Sequence, residues 1–257
     1  MKILITGAAG GIGYLTALTL AQRGHFVYLT CHTKKQALYV KEKVDDYKNI
    51  KILKVDILNE EDLKKVLNLN IDVLISNAGV GISGSIIEHD INDIKNTFEV
   101  NVFSNFLLIK EVLKQMIDKD KGRVVVMSSL ASDIIFPFLG VYSATKASID
   151  KMVKSLKLEL KILGSNVDIA LIKPGLYHTG FNNYLIDSKY NESKYFNDTK
   201  DIIYNLEHSF LILMEKKKLD SIVVQIVRAT EDKKIKKVYK APFFQVLFAK
   251  ISNFLSK

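Results

Sequence analysis

The chain alternates short, nearly continuous apolar runs with longer helical patterns, and this alternation restricts its fold more than any other feature. The apolar runs, each about the length of one strand, are Lys2–Thr6, Phe26–Cys31, Lys51–Val55, Val73–Ser76, Arg123–Ser128 and Val167–Lys173. Runs of this kind are typical of strands buried on both faces of a parallel sheet. Between them, apolar residues recur at helical spacing over Ile12–Arg23, Thr97–Ile117 and Val141–Leu163. Strands that alternate with helices predict an α/β fold with a doubly wound parallel sheet.

The rest of the sequence extends this unit without a composition shift that would mark a domain boundary. The 257 residues are 48% hydrophobic, enough for one large core. We therefore expect a single domain over residues 1–257. After Pro174 an irregular, aromatic-rich segment at 176–200 is interpreted as a substrate loop. It is followed by helical patterns at 201–215 and 220–230, an extended piece at Ile235–Tyr239 and a C-terminal apolar helix within 241–257.

Charge and cysteine content exclude several classes of protein. The formal charge is +9, but only three of the 37 basic residues are arginine, the side chain on which phosphate and base recognition most depends. No nucleic-acid partner is therefore expected. The single cysteine, Cys31, excludes an intrachain disulfide and is typical of a reducing compartment. Without an apolar run of about 18 residues or a leader pattern, a cytoplasmic protein is expected, and the spacing of His residues predicts no metal site.

A glycine-rich loop joins the first predicted strand to the first predicted helix, with the sequence Thr6-Gly7-Ala8-Ala9-Gly10-Gly11-Ile12-Gly13. Glycines let the backbone turn sharply and approach a pyrophosphate, whose charge the helix N-terminus stabilises. In this position the loop predicts a dinucleotide-binding Rossmann fold. Two spacings fit such a loop: Gly7, Gly11 and Gly13, or Gly7, Gly10 and Gly13, the second being the one used by longer epimerase-type enzymes.

The end of the second predicted strand indicates which dinucleotide binds. An acid there would bond the ribose 2′-hydroxyl of NAD, whereas a basic side chain accommodates the 2′-phosphate of NADP. Cys31-His32-Thr33-Lys34-Lys35 contains no acid, and His32 or Lys34 could donate to the phosphate. We therefore predict NADP (NADPH) as the cofactor, with NAD less favoured.

Tyr142 and Lys146 are four residues apart at the start of a predicted helix, so they lie on one face. A phenol with a reference pKa of about 10 is a poor base at neutral pH. A neighbouring ammonium and a positively charged nicotinamide ring would favour the phenolate. The pair therefore predicts a tyrosine with a lowered pKa that exchanges a proton with the substrate.

With these motifs in order, the chain resembles the classical short-chain dehydrogenase/reductase family over about residues 2–240. The family's cofactor-binding positions match Gly7, Gly11, Ile12, Gly13, Asp56, Ile57, Asn77, Ala78, Gly79, Pro174, Gly175 and Thr179. Its catalytic tetrad matches Asn101, Ser129, Tyr142 and Lys146. Ser76 stands where a second asparagine is common in the Asn-Ala-Gly motif.

The resemblance implies a role for each residue of the tetrad. Tyr142 would exchange a proton with the substrate oxygen while hydride moves to or from the nicotinamide, and Ser129 would hydrogen-bond that oxygen. Lys146 would bind the nicotinamide ribose and tune Tyr142, and Asn101 would hold a water that links Lys146 to solvent. Pro174-Gly175 and Thr179 would contact the cofactor.

Several segments depart from the family or indicate its substrate. The apolar stretch 134–139 and the loop at 176–200 predict a large apolar pocket, hence a small-molecule substrate that is a bulky hydrophobic ketone or aldehyde, or the matching alcohol. The chain ends in an apolar helix that is similar to the tails of retinoid- and steroid-type members, which argues for a homodimer rather than the common tetramer. Its apolar face at 243–255 could make a peripheral membrane contact, form a subunit contact or simply pack within the domain.

Two other functions stay open from the sequence. An epimerase-type isomerase with retained NAD would use the same tyrosine and lysine, although the chain is short for that class. A non-catalytic nucleotide-binding sensor would need no complete tetrad.

Overall fold

Seven parallel strands form one sheet in the computed structural model, which describes residues 1–181, 195, 201–202, 205 and 214–255. The strands are β1 (Lys2–Ile5), β2 (Phe26–Cys31), β3 (Ile50–Lys54), β4 (Val73–Ser76), β5 (Gly122–Met127), β6 (Val167–Pro174) and β7 (Val238–Ala241). The helices are α1 (Gly11–Gln22), α2 (Lys34–Lys43), α3 (Glu60–Leu67), α4 (Ile91–Phe98), α5 (Asn105–Asp118), α6 (Gly140–Ile162), α7 (Asp220–Glu231) and α8 (Phe243–Leu255). A π-helical segment (Glu99–Ser104) joins α4 to α5, and a 3₁₀ turn (Leu130–Ser132) follows β5.

The order of the strands fixes where a ligand can bind. Across the sheet the order is β3-β2-β1-β4-β5-β6-β7, so the direction of winding reverses between β1 and β4. Ligands of such sheets bind outside the carboxyl ends of the strands, at this reversal. The predicted glycine loop follows β1 and the Asn77-Ala78-Gly79 motif follows β4, so the fold brings both to the expected crevice.

Two helical layers cover the sheet, as a doubly wound fold requires. One buried cluster joins α1, α2 and α7 to one face through side chains such as Leu20, Val40 and Ile226. The other joins α3, α5 and α6 to the opposite face through side chains such as Val66, Ile109 and Ile149. The predicted α/β fold with a doubly wound parallel sheet is confirmed, because every strand pair is parallel and buried between helices.

The structure differs from the sequence prediction in three respects. Helices α2 and α3 were not predicted; each begins at a side-chain cap, Thr33 in a capping box with Gln36 and Asn59 accepting from the Asp62 N–H. The helix predicted at Thr97–Ile117 begins earlier, at Ile91, and is interrupted by the π-helical segment. The last strand is shifted from Ile235–Tyr239 to Val238–Ala241, in register with Leu171–Pro174 of β6.

Candidate active site

The glycine loop resolves the ambiguity between the two predicted spacings. Gly7 and Gly11 have φ angles of +62° and +56°, in the left-handed region that favours glycine. A Cβ at Gly7 would lie 2.7 Å from the Ala78 Cα, and one at Gly11 would lie 3.0 Å from the Thr179 Cβ. Gly10 is in extended backbone with open space around it. The loop therefore requires glycine at Gly7 and Gly11, which favours the Gly7, Gly11 and Gly13 spacing.

Asn77 holds the end of β4 against this loop. Its Nδ2 donates to the carbonyls of Thr6 (2.9 Å) and Gly7 (3.0 Å), while the N–H groups of Asn77 and Ala78 donate to the Thr6 Oγ1. A Cβ at Gly13 would lie 2.6 Å from that Nδ2, so only glycine lets α1 approach so closely. These contacts fix the N-terminus of α1, with its uncapped N–H groups, beside the crevice.

One cavity of about 740 Å³ joins the motifs that the sequence predicted separately. Among the predicted cofactor residues and the tetrad, those lining it are Gly7, Gly11, Ile12, Gly13, His32, Asp56, Ile57, Asn77, Ala78, Gly79, Ser129, Tyr142, Lys146, Pro174, Gly175 and Thr179. Asn101 lies just behind the lining, where a Cβ on Gly79 would be 3.1 Å from its Oδ1. Lys34 begins α2 and is not among the lining residues. The volume is typical of a pocket for a small-molecule ligand or cofactor.

Ser129 and Tyr142 form the polar centre of the cavity. The Ser129 Oγ accepts from the Ala131 N–H at 3.1 Å and is hydrogen-bonded to the Tyr142 phenol, an interaction that favours the phenolate. Burial nevertheless raises the pKa of Tyr142 to about 12. In the protein without ligand, the loss of hydration outweighs the hydrogen bond. The lowered pKa predicted from the Tyr-Lys pair includes the charge of a bound nicotinamide ring and stays a prediction for the cofactor complex. At neutral pH the phenol is protonated and can act as a proton donor.

Lys146 is buried one helical turn beyond Tyr142. Its Nζ donates to the Met127 carbonyl at 3.3 Å and lies 5.7 Å from the centroid of the Tyr142 ring. Burial lowers its pKa to about 8, while the charge of Asp150 acts in the opposite direction. The ammonium therefore faces the phenol from within the cavity wall.

The π-helical segment presents Asn101 to the loop that follows β4. Its Oδ1 accepts from the Val80 N–H and its Nδ2 donates to the Val80 carbonyl, both at 2.8 Å, and the Nδ2 also lies 3.1 Å from the Thr145 Oγ1. The side-chain amide is thus engaged with protein partners and fixes the loop beside Lys146. π-Helical segments often mark functional sites.

At the far end of the cavity, the predicted selectivity residue lies beside a carboxylate. The His32 Nδ1 is 3.6 Å from the Asp56 Oδ1, and Asp56 also accepts from the Leu58 N–H. The residues directly after β2 include no acid, and the carboxylate that lies beside His32 is that of Asp56, which follows β3. Gln36 of α2 lines the cavity in the same region.

The substrate end is apolar, and the C-terminal helix helps to close it. Ile134, Phe136, Leu139 and Phe181 line it, with the Phe181 and Tyr142 rings 5.8 Å apart. Most of the predicted loop at 176–200 lies outside the described residues. The sequence analysis missed the lining residues Met214, Gln245 and Phe248. Gln245 could have been noticed as a polar residue within the apolar run Phe243–Phe248.

Gln245 attaches α8 to the loop after β6. Its Oε1 accepts from the Leu176 N–H at 2.6 Å, and its Nε2 donates to the carbonyls of Leu176 and Met214. Tyr177 in the same loop is buried and bonds the Ser221 Oγ at 2.8 Å. The helix is therefore part of the cavity wall.

Comparison with known proteins agrees with this geometry. The family model described as short chain dehydrogenase matches residues 1–189. The chain belongs to the short-chain dehydrogenase family. Members of this family with named activities are dehydrogenases and reductases of alcohol and carbonyl groups, and the chain is accordingly an oxidoreductase of that class.

A relative and two solved structures resemble this short-chain dehydrogenase over most of its length. The 3-ketodihydrosphingosine reductase of Bacteroides thetaiotaomicron is 28% identical, covering 98% of this chain and 92% of its own. A short-chain dehydrogenase/reductase from Burkholderia phymatum, solved with NAD, is 18% identical with a TM-score of 0.83, covering 97% of this chain and 91% of its own. A serine dehydrogenase solved with NADP⁺ is 21% identical with a TM-score of 0.80, covering 95% and 96%. The two structures confirm the fold.

The geometry of the cavity in this short-chain dehydrogenase suits a nicotinamide dinucleotide. The N–H groups at the start of α1 have no side-chain cap and face the crevice, and the space beside Gly10 is open. N–H groups in this position are suited to binding a pyrophosphate. Within the described residues, no cluster of three or more His, Cys, Asp or Glu side chains could hold a metal ion. In that same part of the chain, no helix is long and apolar enough to cross a membrane.

Proposed function

We propose that the protein is an NADPH-dependent reductase of a bulky hydrophobic ketone or aldehyde, with Tyr142 as the proton donor. The observation that carries this proposal is the position of Ser129, Tyr142 and Lys146 at the junction between the glycine-loop end of the cavity and its apolar end. The reverse reaction, oxidation of the matching alcohol, would use the same residues.

Each member of the tetrad has a role that its contacts support. Tyr142, protonated at neutral pH, would donate to the carbonyl oxygen, and Ser129 would hydrogen-bond the same oxygen as its negative charge develops. The Lys146 ammonium would bind ribose hydroxyls and stabilise the phenolate left on Tyr142. Asn101, whose side chain is held by Val80, would fix the loop beside Lys146. A water held by Asn101 would complete a proton relay from Lys146 to solvent.

The remaining predicted residues would hold the cofactor, which supplies or accepts hydride when bound. Gly7, Gly11, Ile12 and Gly13 would surround its pyrophosphate, and Asp56-Ile57 and Asn77-Ala78-Gly79 its adenosine half. Pro174-Gly175 and Thr179 would contact its nicotinamide half.

NADPH is favoured over NADH by the basic residues after β2. His32 lines the cavity, and Lys34 begins a helix whose N-terminus also attracts phosphate. We expect wild-type protein to bind NADPH at least about tenfold more tightly than NADH, a difference of about 1.4 kcal/mol, in a fluorescence titration. His32→Asp is expected to reverse the order, because a second carboxylate beside Asp56 would repel the 2′-phosphate. Tighter binding of NADH by the wild type would contradict this assignment.

The substrate class follows from the apolar end of the cavity. Its side chains Ile134, Phe136, Phe181 and Phe248 offer no charged partner, so a molecule bound there gains mainly by burying apolar surface. 3-Ketodihydrosphingosine, the substrate named for the Bacteroides relative, is therefore the first candidate to assay.

Replacing the proton donor tests the proposal. Tyr142→Phe removes the hydroxyl and keeps the ring, so NADPH binding is expected to persist while turnover of a ketone panel falls about 10²–10⁴-fold. Unchanged turnover in this variant would contradict the assignment. Cofactor binding with no turnover in the wild-type protein would favour a sensor, and tightly retained NAD with sugar-nucleotide turnover would favour an isomerase.

We also propose that the outer face of α8 rests on an anionic lipid surface. Phe243 and Phe244 are 74% and 81% exposed, and Leu247 and Ile251 are exposed on the same helix. Lysines lie near this helix: Lys250 is on α8, and the exposed Lys216–Lys218 begin two residues after Met214, whose carbonyl accepts from Gln245 of α8. Exposed aromatic side chains with lysines nearby suit binding to acidic lipid headgroups. Phe248 connects this face to the cavity, which suits a hydrophobic substrate.

Vesicle sedimentation tests the lipid contact. Wild-type protein is expected to sediment with phosphatidylcholine vesicles that contain phosphatidylglycerol, less with phosphatidylcholine alone, and less as salt is added. Phe243→Ser with Phe244→Ser is expected to abolish sedimentation. Ile162→Ser with Leu163→Ser, exposed apolar residues at the end of α6, is the matched control and is expected to sediment like the wild type. Equal sedimentation of both variants, or loss of self-association in the α8 variant, would contradict the lipid assignment.

The homodimer stays a prediction, and its favoured surface is the outer face formed by the π-helical segment and the first turn of α5. Phe103 and Leu107 are exposed and one turn apart, a pair that a second copy could cover. Light scattering is expected to give a dimer for the wild type and a monomer for Phe103→Glu with Leu107→Glu. A monomeric wild type would contradict the prediction.

A further inference from the structure

Beneath the active-site helix lies a buried cluster of charged side chains that the family motifs do not include. Lys173 of β6 is almost fully buried; its Nζ contacts the Asp150 carboxylate and lies 2.5 Å from the Asp133 Oδ1 and 2.8 Å from the Ser132 Oγ. Lys240 of β7 donates to the Asp133 Oδ2 at 2.6 Å, and Lys154 of α6 lies 3.2 Å from the Asp150 Oδ2. Buried charges lower the stability of a protein unless they are paired, so the partners of each carboxylate in this cluster indicate what it does.

The cluster is attached to the elements that carry the tetrad. Ser132 ends the 3₁₀ turn that Ser129 caps, Asp133 follows it directly, and Lys173 immediately precedes Pro174-Gly175. Asp150 follows Lys146 by one turn of α6, so both side chains lie on one face of the helix. A change in the charge of Asp150 would therefore occur one helical turn from Lys146, the proposed catalytic lysine.

Asp150 is the member of the cluster with a buried oxygen that lacks a hydrogen-bond partner. Its Oδ2 contacts Lys173 and Lys154, whereas its Oδ1 is buried and has no hydrogen-bond partner. A buried carboxylate oxygen of this kind is retained at a cost unless it acts on a nearby positive charge. Lys146 is the positive charge on the same helix face.

We propose that Asp150, with its carboxylate held in place by Lys173, is a positioning residue that keeps the Lys146 side chain in its charged form. The proposal rests on the function proposed above, in which Lys146 acts as an ammonium. Burial favours neutral Lys146, and the carboxylate one turn away opposes this effect.

Few titratable groups face this pair. Among the described residues, the charge of Asp150 on its own helix acts on Lys146, and Tyr142 lies beside it. Its other neighbours are neutral: the Met127 carbonyl of β5, and Gly79 with the Asn101 side chain of the π-helical segment behind it. Asp150 is approached by Lys154 and Lys173, and Asp133 and Lys240 complete the cluster. The pKa of Lys146 is thus expected to respond to Asp150 more than to any other acid of the cluster.

The pKa of Lys146 can be measured without cofactor or substrate. We would label lysine side chains with ¹³C at Cε, assign Lys146 by its absence in Lys146→Met, and titrate by NMR. Asp150→Asn is expected to lower the pKa of Lys146 by about one unit or more, because an opposite charge is removed, and Asp150→Glu is expected to restore most of it. Asp133→Asn disturbs the same cluster one contact further away and is expected to leave it within about 0.3 units.

A surface variant keeps the test valid if Asp150→Asn does not fold. Lys154→Gln removes an exposed positive charge from Asp150 and is expected to raise the pKa of Lys146 by a few tenths of a unit, roughly the size of a partly screened charge effect. An unchanged pKa in both Asp150→Asn and Lys154→Gln, or equal shifts in Asp150→Asn and Asp133→Asn, would overturn the proposal. Because the measurement uses the free protein, it can fail while the Tyr142→Phe result stands, and the reverse also holds.

Discussion

Gly10 and Gly13 lie in the same loop, but at the scale of single residues they have different constraints. A Cβ at Gly13 would lie 2.6 Å from the Asn77 Nδ2 and 3.1 Å from the Ala8 Cα, whereas Gly10 has open space. Gly13→Ala is therefore expected to lower the free energy of unfolding by about 1–3 kcal/mol through overpacking. Gly10→Ala, the matched control, is expected to cost less than about 1 kcal/mol. Urea unfolding of the two variants checks this, and an equal loss in both would contradict it.

Ser129 and Ser148 form a second matched pair at this scale. Ser129→Ala removes the hydroxyl bonded to Tyr142 and is expected to lower kcat about 10²–10³-fold, since one donor to the developing oxyanion is lost. The Ser148 hydroxyl only donates to the Ala144 carbonyl within α6, so Ser148→Ala should leave kcat within about threefold of the wild type. Steady-state kinetics of both variants and the wild type with one ketone substrate give the comparison of kcat. Similar losses in both variants would argue against a role for Ser129 at the reacting oxygen.

At the scale of elements, Gln245 decides how α8 is attached. The three hydrogen bonds that it makes to Leu176 and Met214 would be lost in Gln245→Ala, so the partly buried Leu176 N–H and Met214 carbonyl would lose this partner. We expect a loss of about 1–3 kcal/mol in the free energy of unfolding and faster proteolysis within α8. The surface variant Gln22→Ala, which loses one exposed bond to Tyr47, is expected to change stability much less. Unchanged proteolysis of the Gln245 variant would show that apolar packing alone holds α8.

The stability of the whole molecule is expected to depend on Asp62 at acidic pH. The Lys54 ammonium at 2.6 Å and the Asp56 N–H at 3.0 Å hold the pKa of this buried carboxyl well below its usual value. Since the folded-state pKa is lower than that of the unfolded chain, about 3.9, Asp62 stabilises the fold above that pH, and the contribution is lost as the pH falls further.

Asp62→Asn tests this dependence. The variant is expected to be less stable than the wild type by about 1–3 kcal/mol at pH 7, with the difference shrinking as the pH falls below about 4. Asp120→Asn alters an exposed carboxylate bonded to Asn166 and should follow the wild-type curve much more closely. Free energies of unfolding measured between pH 7 and pH 3 give the comparison. A constant difference across this range would contradict the assignment.

Elements with strong apolar patterns were predictable because the spacing of their apolar residues indicates which side chains are buried. β2 was predicted at its observed bounds, and α6 and α7 to within about one residue at each end. Helix α2 was not predicted because Val40 is its one buried side chain, which leaves little apolar pattern. Helix α3 was not predicted because it is only eight residues long, although Leu63 and Val66 are buried at helical spacing. β7 was displaced because its register depends on its partner β6. The π-helical segment at Asn101 is also invisible in sequence, since it differs from an α-helix only in backbone hydrogen bonding.

The sequence by itself determined the alternation of strands and helices along the chain, the family and the residue types of the site, because local patterns and motif spacing carry that information. The tertiary structure decided which residues meet. It placed Gln245 and Phe248 of α8 in the cavity wall, brought Asp56 to His32, and buried Tyr142, which raises the pKa of its phenol in the protein without ligand. These outcomes depend on desolvation and on contacts between residues far apart in the chain, which no spacing within the sequence records.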